Sequence, residues 1–497
     1  MEENVATVER RVRTEGEGCS PAEQPLRAGW IPRDEKKGGR DGSSGWKELA
    51  GSFFRLYGRF PASPRSCGLT PGHAVGNDGG DYHEEGFAPG EALLTVGDAA
   101  ARRNLLVPGV PGRDSPLLPH LRDCLMVERI KRDYASAKTP FIVFDIDRLL
   151  DNFRLLSGFP GQAEIFYPVK CNDHRGILEL LRDWGSGFEA ASWGEVRKLL
   201  DIGVEPERII FGAPVKVEEH IARAYREGVD LYAYDSYAEI AKLAAAAPGC
   251  RVYLRLAVPD RGASVFPLSK KFGAPPREAV ALMGAAELAG LRPVGLSFHV
   301  GSQCLEPSAW WLAVAAAAWV WNRAKAAGIC LHLLNVGGGI PIRYAGSVLA
   351  KEVFLSNLNL AVRGHFHRRP RLIIEPGRSL VGDAAVMVAS VIGKARRDGQ
   401  EWLYLDAGIY QGLVEAVQER ERFSYLVYAQ GNGPLRRYCL GGPTCDAGDV
   451  VARDVALPEL QCGDRVYIMS TGAYTNVCST AFNGFEPPAV YFMSSEG

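Results

Sequence analysis

From residue 126 onward, apolar runs of five to eight residues alternate with longer stretches in which apolar positions recur at three- and four-residue spacing. The runs are FYPVK (166–170), GFEAAS (187–192), IIFGAPV (209–215), DLYAYDS (230–236), RVYLRLA (251–257), GLSFHVG (295–301), HLLNVGGG (332–339) and RLIIEPG (371–377). Between most of them lie helical patterns such as ASWGEVRKLLDIG and SYAEIAKLAAAA. Eight strands, each followed by a helix, predict an α/β fold, a parallel (β/α)8 barrel over residues 147–384. Past Arg378 the pattern changes. AAVMVASVIGKARR, EWLYLDAG, RRYCLGG and DRVYIMS read as strands divided by turns, which predicts a second, β-rich domain. It is assigned residues 385–497 together with 126–146, whose strand FIVFDI (141–146) precedes the barrel.

Residues 1–125 lack this patterning. They are rich in Gly, Pro, Ser, Arg and Asp, as in KKGGRDGSSG and GNDGGDYHEEG, with short apolar islands such as GSFFRLYGRF. Such a segment cannot bury enough apolar surface to offset its ordering entropy, and a disordered extension is expected. It is also expected to be dispensable, with Met126 a candidate start for the patterned part. The whole chain, 497 residues with 46% hydrophobic and 23% charged positions, has the composition of a soluble globular protein of two or three domains. A formal net charge of −1 gives no ground for a nucleic acid or an anionic membrane as partner. Eleven cysteines without a CxxC pair point to a reducing compartment, and no metal site is assigned. Early charges in MEENVATVERRVRTEGEG interrupt the apolar core that a secretory signal needs. The longest apolar run, AWWLAVAAAAWVW (309–321), is too short to span a bilayer and reads as a core helix. A cytoplasmic location is expected.

On a barrel of this kind, reactive groups belong where the strands end. Lys170 ends the first run, Glu189 and Ser192 the second, and Asp235 the fourth; Arg255 lies in the fifth. His299 and Ser302 end the sixth, Gly337 to Gly339 the seventh, and Glu375 and Arg378 the eighth. A lysine closing a buried strand makes sense as a reactive amine, because desolvation lowers its pKa and frees the lone pair. A lone histidine is more often a satisfied core residue and three glycines a flexible turn. At this rim, though, glycine N–H groups can approach an anion closely, and EPGR adds a guanidinium. An amine, a phosphate cradle, a carboxylate and an imidazole on one rim point to pyridoxal phosphate, with the carboxylate at the pyridine nitrogen and the imidazole on the ring face.

FYPVKCN, SFHVGS, NVGGG, IIEPGRS, GGPTCDAGDV and STGAYTNVCSTAFNGF, in that order, resemble the fold-type III pyridoxal-phosphate decarboxylases. Within them the similarity is greatest to the bacterial ornithine or ornithine/lysine decarboxylases, over roughly residues 126–492. The resemblance implies the alanine racemase/ornithine decarboxylase-like architecture and pyridoxal 5'-phosphate as cofactor. It implies Lys170 as the Schiff-base lysine, Glu375 at the pyridine nitrogen, and His299 stacked on the ring. Phosphate contacts are implied from Ser302, Gly337, Gly338, Gly339, Arg378 and Tyr474, with Glu189 and Arg255 supporting the lysine and cofactor. GPTCDAGDV matches a segment that enters the active site from the other subunit, which implies a homodimer with shared sites. Cys445 would protonate the decarboxylated carbon and Asp446 would bind the distal amine. In LDAGIYQGLVEAVQERERFSY, counting from Tyr410 gives Glu419 as the acidic determinant of diamine recognition, with Glu415 its rival; Tyr410, Glu419 and Asp446 form the implied substrate-binding set. Pro168 departs from the family's alanine and leaves the local geometry open. The implied activity is decarboxylation of a basic L-amino acid, ornithine to putrescine first. The alternatives are lysine or diaminopimelate decarboxylation and a non-catalytic decarboxylase-like regulatory protein. Cys445-Asp446-Ala447, where diaminopimelate enzymes tend to carry Cys-Glu-Ser, and an intact Lys170, Glu375 and Cys445 speak against the last two.

Overall fold

The computed structural model describes residues 118–158, 163–259, 262–268, 271–431 and 433–495. The expectation of disorder over residues 1–117 lies outside them. Strand β1 (Phe141–Asp145) comes first, followed by β2 (Glu164–Pro168), β3 (Gly187–Ala190), β4 (Ile209–Phe211), β5 (Leu231–Tyr234), β6 (Arg251–Arg255), β7 (Ser264–Phe266), β8 (Arg292–Ser297), β9 (Ser302–Cys304), β10 (Leu333–Asn335) and β11 (Arg371–Ile374). Of these, β2 to β6, β8, β10 and β11 close into an eight-stranded barrel in which every pair is parallel. The barrel predicted from the eight apolar runs is therefore the observed one. Strands β7 and β9 form a small antiparallel ribbon.

Phe166, Ile210, Leu231, Ala233, Tyr253, Val294, Leu333 and Ile373, drawn from seven strands, fill the barrel interior. The eighth, β3, begins with a glycine, because the Phe166 ring lies 2.8 Å from where a Gly187 Cβ would stand. Helices pack outside. The run 309–321 lies in the helix Ser308–Ala326, with Trp310, Val314, Ala317 and Val320 buried. Among the described residues, no helix is long and apolar enough to cross a membrane.

Past the barrel come β12 (Ala385–Arg397), β13 (Gln400–Leu405), β14 (Val427–Ala429), β15 (Leu435–Gly441), β16 (Val450–Pro458), β17 (Arg465–Met469) and β18 (Ala489–Met493). With β1 they make an eight-stranded sheet, ordered β14-β17-β12-β13-β15-β16, in which β1 lies between β12 and β18. Strand periodicity assigns alternate residues to two cores. Ile142, Phe144, Met387 and Ala389 face the main core shared with the barrel. Phe141, Val143, Val386 and Val388 face a second core, closed by Met126, Val127 and Ile130 of helix α1 (Leu118–Asp133).

Helix α1 corrects the boundary drawn at residue 125, since it begins at Leu118 and carries Asp123 into a buried position. Asp123 is 4% exposed. It pairs with Arg148 at 3.1 Å, on the first barrel-side helix α2 (Ile146–Ser157), and with Arg343. A chain starting at Met126 lacks this carboxylate and leaves two partly buried guanidiniums without it. We expect such a chain to be roughly 2 kcal/mol less stable than one starting at Leu118, less than for a fully buried pair because both arginines keep some solvent contact. Asp123→Asn in the longer chain should reproduce much of that loss. Equilibrium urea denaturation of the three proteins checks this, and equal midpoints would show that the charge is idle.

Candidate active site

Strand β2 ends at Pro168, whose φ of −77° opens a tight 3-10 turn, Val169–Cys171. The ring that fixes this φ therefore sits where the strand stops, and it packs against Gly377, where a Cβ would approach Pro168 Cγ to 2.8 Å. The departure at Pro168 is thus accommodated at the strand end. The turn puts Lys170 into a cavity of about 350 Å³ at the barrel's C-terminal rim, lined also by Glu189, Arg255, His299, Ser302, Glu375, Arg378, Glu415 and Tyr474.

Lys170 Nζ pairs with Glu189, a residue of β3 that is itself buried. Gly212 makes this approach feasible, for a Cβ there would collide with the Glu189 carboxylate. The lysine's charge state differs from the expectation. Burial alone would lower its pKa, but the Glu189 and Glu375 carboxylates outweigh burial and raise it above the ordinary lysine value. Lys170 is therefore held as an ammonium, because the sheet delivers two carboxylates that lie far from it in sequence.

Glu375 follows β11 directly, its N–H bound to Gly337 O at 2.9 Å. Asn335 Nδ2 donates to Glu375 Oε1 at 2.6 Å. Burial, and then the charge of Glu189, push the Glu375 carboxyl up from 4.5 to about 7. The group can hold or yield a proton near neutrality. His299 behaves in the opposite sense, its imidazole lowered to about 3 by burial and by the nearby Arg255 and Lys170 cations. Its Nδ1 accepts the Gly301 N–H at 3.0 Å, which leaves a neutral ring with its proton on Nε2.

The three glycines prove to be required by close packing. Cβ atoms at Gly338 and Gly339 would collide with the carbonyls of Glu375 and Gly301, and Gly337 and Gly339 have φ of 64° and 103°. The Gly337 N–H donates to Asn335 Oδ1 at 2.9 Å, so it is not offered to an anion. Among the described residues the N–H groups of Gly338 and Gly339 have no partner. Beside them stand Ser302, whose Oγ accepts from Arg378 Nε at 3.2 Å, and Tyr474, whose φ of 56° is unusual for an aromatic residue and is held by its N–H to Cys171 O at 2.8 Å. Two open N–H groups, a buried guanidinium, a hydroxyl and an amine suit a phosphate with an aldehyde-bearing ring.

Cys445, Asp446 and Tyr410 do not line this cavity. They cluster on the β-rich side, where Tyr410 Oη donates to Asp446 Oδ2 at 2.7 Å and its ring stacks on Phe482 at 4.3 Å. The Gly448 N–H and then the Tyr410 hydroxyl hold the Asp446 carboxyl below its ordinary pKa. Cys445 is exposed, its N–H bound to Asn483 Oδ1 at 3.0 Å. Sequence reading missed Asp449, buried beneath this loop. Asp449 accepts from Thr444 Oγ1 at 2.6 Å and from Ile409 N at 2.8 Å, while Gly408 and Gly442 leave room for its carboxylate. The close run of glycines around GGPTCDAGD was the available signal. Of the two rival acids, Glu419 caps a short helix, Glu415–Gln418, and does not reach the cavity; Glu415 does, and it is buried.

Residues 145–382 match the family model described as pyridoxal-dependent decarboxylase, pyridoxal binding domain. The chain is 37% identical over 350 residues to a lysine/ornithine decarboxylase of Selenomonas ruminantium, covering 70% of this chain and 88% of that protein. It is 33% identical over 369 residues to antizyme inhibitor 2 of Xenopus laevis, covering 71% and 80%. Among solved structures, the crystal structure of SrLDC in complex with PLP and cadaverine superposes with a TM-score of 0.69 at 34% identity, covering 74% of this chain and 93% of that one. The chain belongs to the family of pyridoxal-phosphate-dependent decarboxylases of basic amino acids. Pyridoxal phosphate is its cofactor.

The Glu375 titration has a stability consequence. A carboxyl whose pKa is raised on folding contributes stability that is fully present below its unfolded value, near 4.5, and is lost as pH rises through about 7. In cofactor-free protein, the urea stability of wild type relative to Glu375→Gln should therefore fall as pH rises from about 5 to about 8. A pH-independent difference would place the titration elsewhere.

Proposed function

We propose that this protein decarboxylates a basic L-amino acid, L-ornithine to putrescine and carbon dioxide, as a homodimer with shared active sites in the cytoplasm. The observation that carries the reading is a rim cavity in which Lys170 pairs with Glu189 beside Glu375, its pKa raised to about 7, and His299, kept neutral by a pKa lowered to about 3. When bound, pyridoxal phosphate supplies a conjugated ring that accepts electrons from the bond to be broken. Lys170 is the amine that anchors it, with Glu189 and Arg255 in support. Glu375 would hold a proton at the pyridine nitrogen, its carboxylate oriented by the Asn335 Nδ2 donor on Oε1. His299, flat and uncharged, would cover the ring without adding a competing cation. Gly338, Gly339, Ser302, Arg378 and Tyr474 would hold the phosphate.

Cys445 and Asp446 of a second copy complete the site. The Cys445 thiol returns a proton to the carbon that has lost carbon dioxide, and Asp446, kept ionised by the Gly448 N–H and by Tyr410, which also aims it, binds the distal ammonium of the substrate. Their separation from the Lys170 cavity within one chain supports this division. Lysine and diaminopimelate are the competing substrates. A non-catalytic regulatory reading draws support from the antizyme inhibitor relative. Carbon dioxide release measured with ornithine, lysine, arginine and diaminopimelate tests all of these; ornithine should be fastest, and release from none of them by cofactor-loaded protein would leave the regulatory reading.

Mixing tests the shared site. Lys170→Ala and Cys445→Ala should each be nearly inactive. After subunit exchange in equal amounts, about half the dimers are mixed, each with one intact site, so activity should return to about a quarter of wild type. No recovery would put both groups in one chain.

A further inference from the structure

Arg378, the cation assigned to the cofactor phosphate, already has an anion within the chain. Nη1 and Nη2 donate to the two carboxylate oxygens of Glu415 at 2.7 and 2.5 Å. Nη1 also donates to Tyr344 Oη at 2.5 Å, and Nε to Ser302 Oγ at 3.2 Å. Among the described residues these bonds commit all but one of the guanidinium N–H groups. Both side chains of the pair are buried, 4% and 6% exposed. The rings of Tyr474 and Phe266 stand 4.9 and 5.1 Å from Arg378 Cζ and keep water away. Glu415 comes from beyond β13, so the pair also joins the β-rich sheet to the barrel rim, and it lines the same cavity as Lys170.

We propose that Glu415 is the internal counter-ion of the phosphate cradle and competes with the cofactor phosphate for Arg378. The inference rests on the phosphate role given to Arg378 above. A buried guanidinium needs a counter-charge, and Glu415 supplies it. Glu415 occupies the Nη1/Nη2 edge of the guanidinium, and a carboxylate close to a phosphate in a site of low dielectric is repelled. A phosphate that takes the remaining Nη2 N–H and the Nε now on Ser302 must therefore share one cation with Glu415 at close range. Cofactor affinity reflects the difference between two anions, and the aldehyde-bearing ring, held at Lys170, His299 and Glu375, is outside the competition.

The experiment titrates cofactor-free wild type and Glu415→Gln with pyridoxal phosphate and with pyridoxal, which lacks the phosphate, following the absorbance of bound cofactor. Thermal unfolding is recorded with and without inorganic phosphate. The variant should bind pyridoxal phosphate roughly tenfold more tightly or better, and pyridoxal within about twofold of wild type. Without ligand it should unfold at a lower temperature than wild type, and inorganic phosphate should raise that temperature more than it does for wild type. A Glu415 that served only to brace the fold would lower both stability and cofactor affinity. That pattern, or an unchanged affinity, overturns the proposal. Should Glu415→Gln not fold, Glu415→Asp keeps the charge but cannot reach both nitrogens, and it should bind pyridoxal phosphate more tightly than wild type; no gain there overturns the proposal equally. Arg378→Ala binding the cofactor as tightly as wild type would remove Arg378 from the phosphate site and overturn the assignment beneath it.

Discussion

One ammonium between two carboxylates, Glu189 buried and Glu375 partly so, governs the rim of this barrel. Lys170 pairs with Glu189 and also lowers the pKa of Glu375, yet burial, and then the Glu189 charge, outweigh it and push Glu375 up to about 7. The surroundings are shaped by this arrangement. Gly212 clears space for Glu189, Asn335 fixes Glu375, and His299 stays uncharged because burial, and then the Arg255 and Lys170 cations, disfavour its charged form. At the other side of the cavity Arg378 and Glu415 balance one another in burial. The site thus consists of one overloaded charge cluster, able to exchange a proton near neutrality, and one closed pair.

The barrel was legible because its strands are short, buried on both faces, and set off by helical periodicity. The strand ends were less so. FYPVK reads as one run to residue 170, but β2 stops at Pro168, since the proline opens a turn. Ser192 looks like a strand-end hydroxyl and is in fact a helix cap, its Oγ accepting the Glu195 N–H at 3.3 Å. The rim residues stood out as charged or glycine positions closing apolar runs, and the cavity gathers Lys170, Glu189, His299 and Glu375 together. What could not be read were properties set by neighbours distant along the chain. The ammonium state of Lys170, the loss of the Gly337 N–H to Asn335, and the burial of Asp123 beneath two arginines each need the folded arrangement to be seen.

The loop that carries Cys445 shows how an exposed thiol is kept in place. Its backbone is pinned from below by Asp449 and from the side by Asn483, while Tyr410 orients the adjacent Asp446. Exposed side chains on an anchored loop are what a neighbouring molecule can use without prior ordering, and the entropy of fixing them has been met in folding.

Strand β1 lies between β12 and β18, with Phe141 to Phe144 fully buried. During synthesis these four residues leave the ribosome before the barrel, while β12 and β18 follow it. The barrel's strands are contiguous from β2 to β11 and can assemble from neighbours already made. The sheet cannot, so an oily strand must wait through the whole of the barrel for its partners, and loop closure of that length makes its docking a late event. Closing this sheet brings together the segments on either side of the barrel, and the nascent chain carries four apolar residues without their strand partners until then.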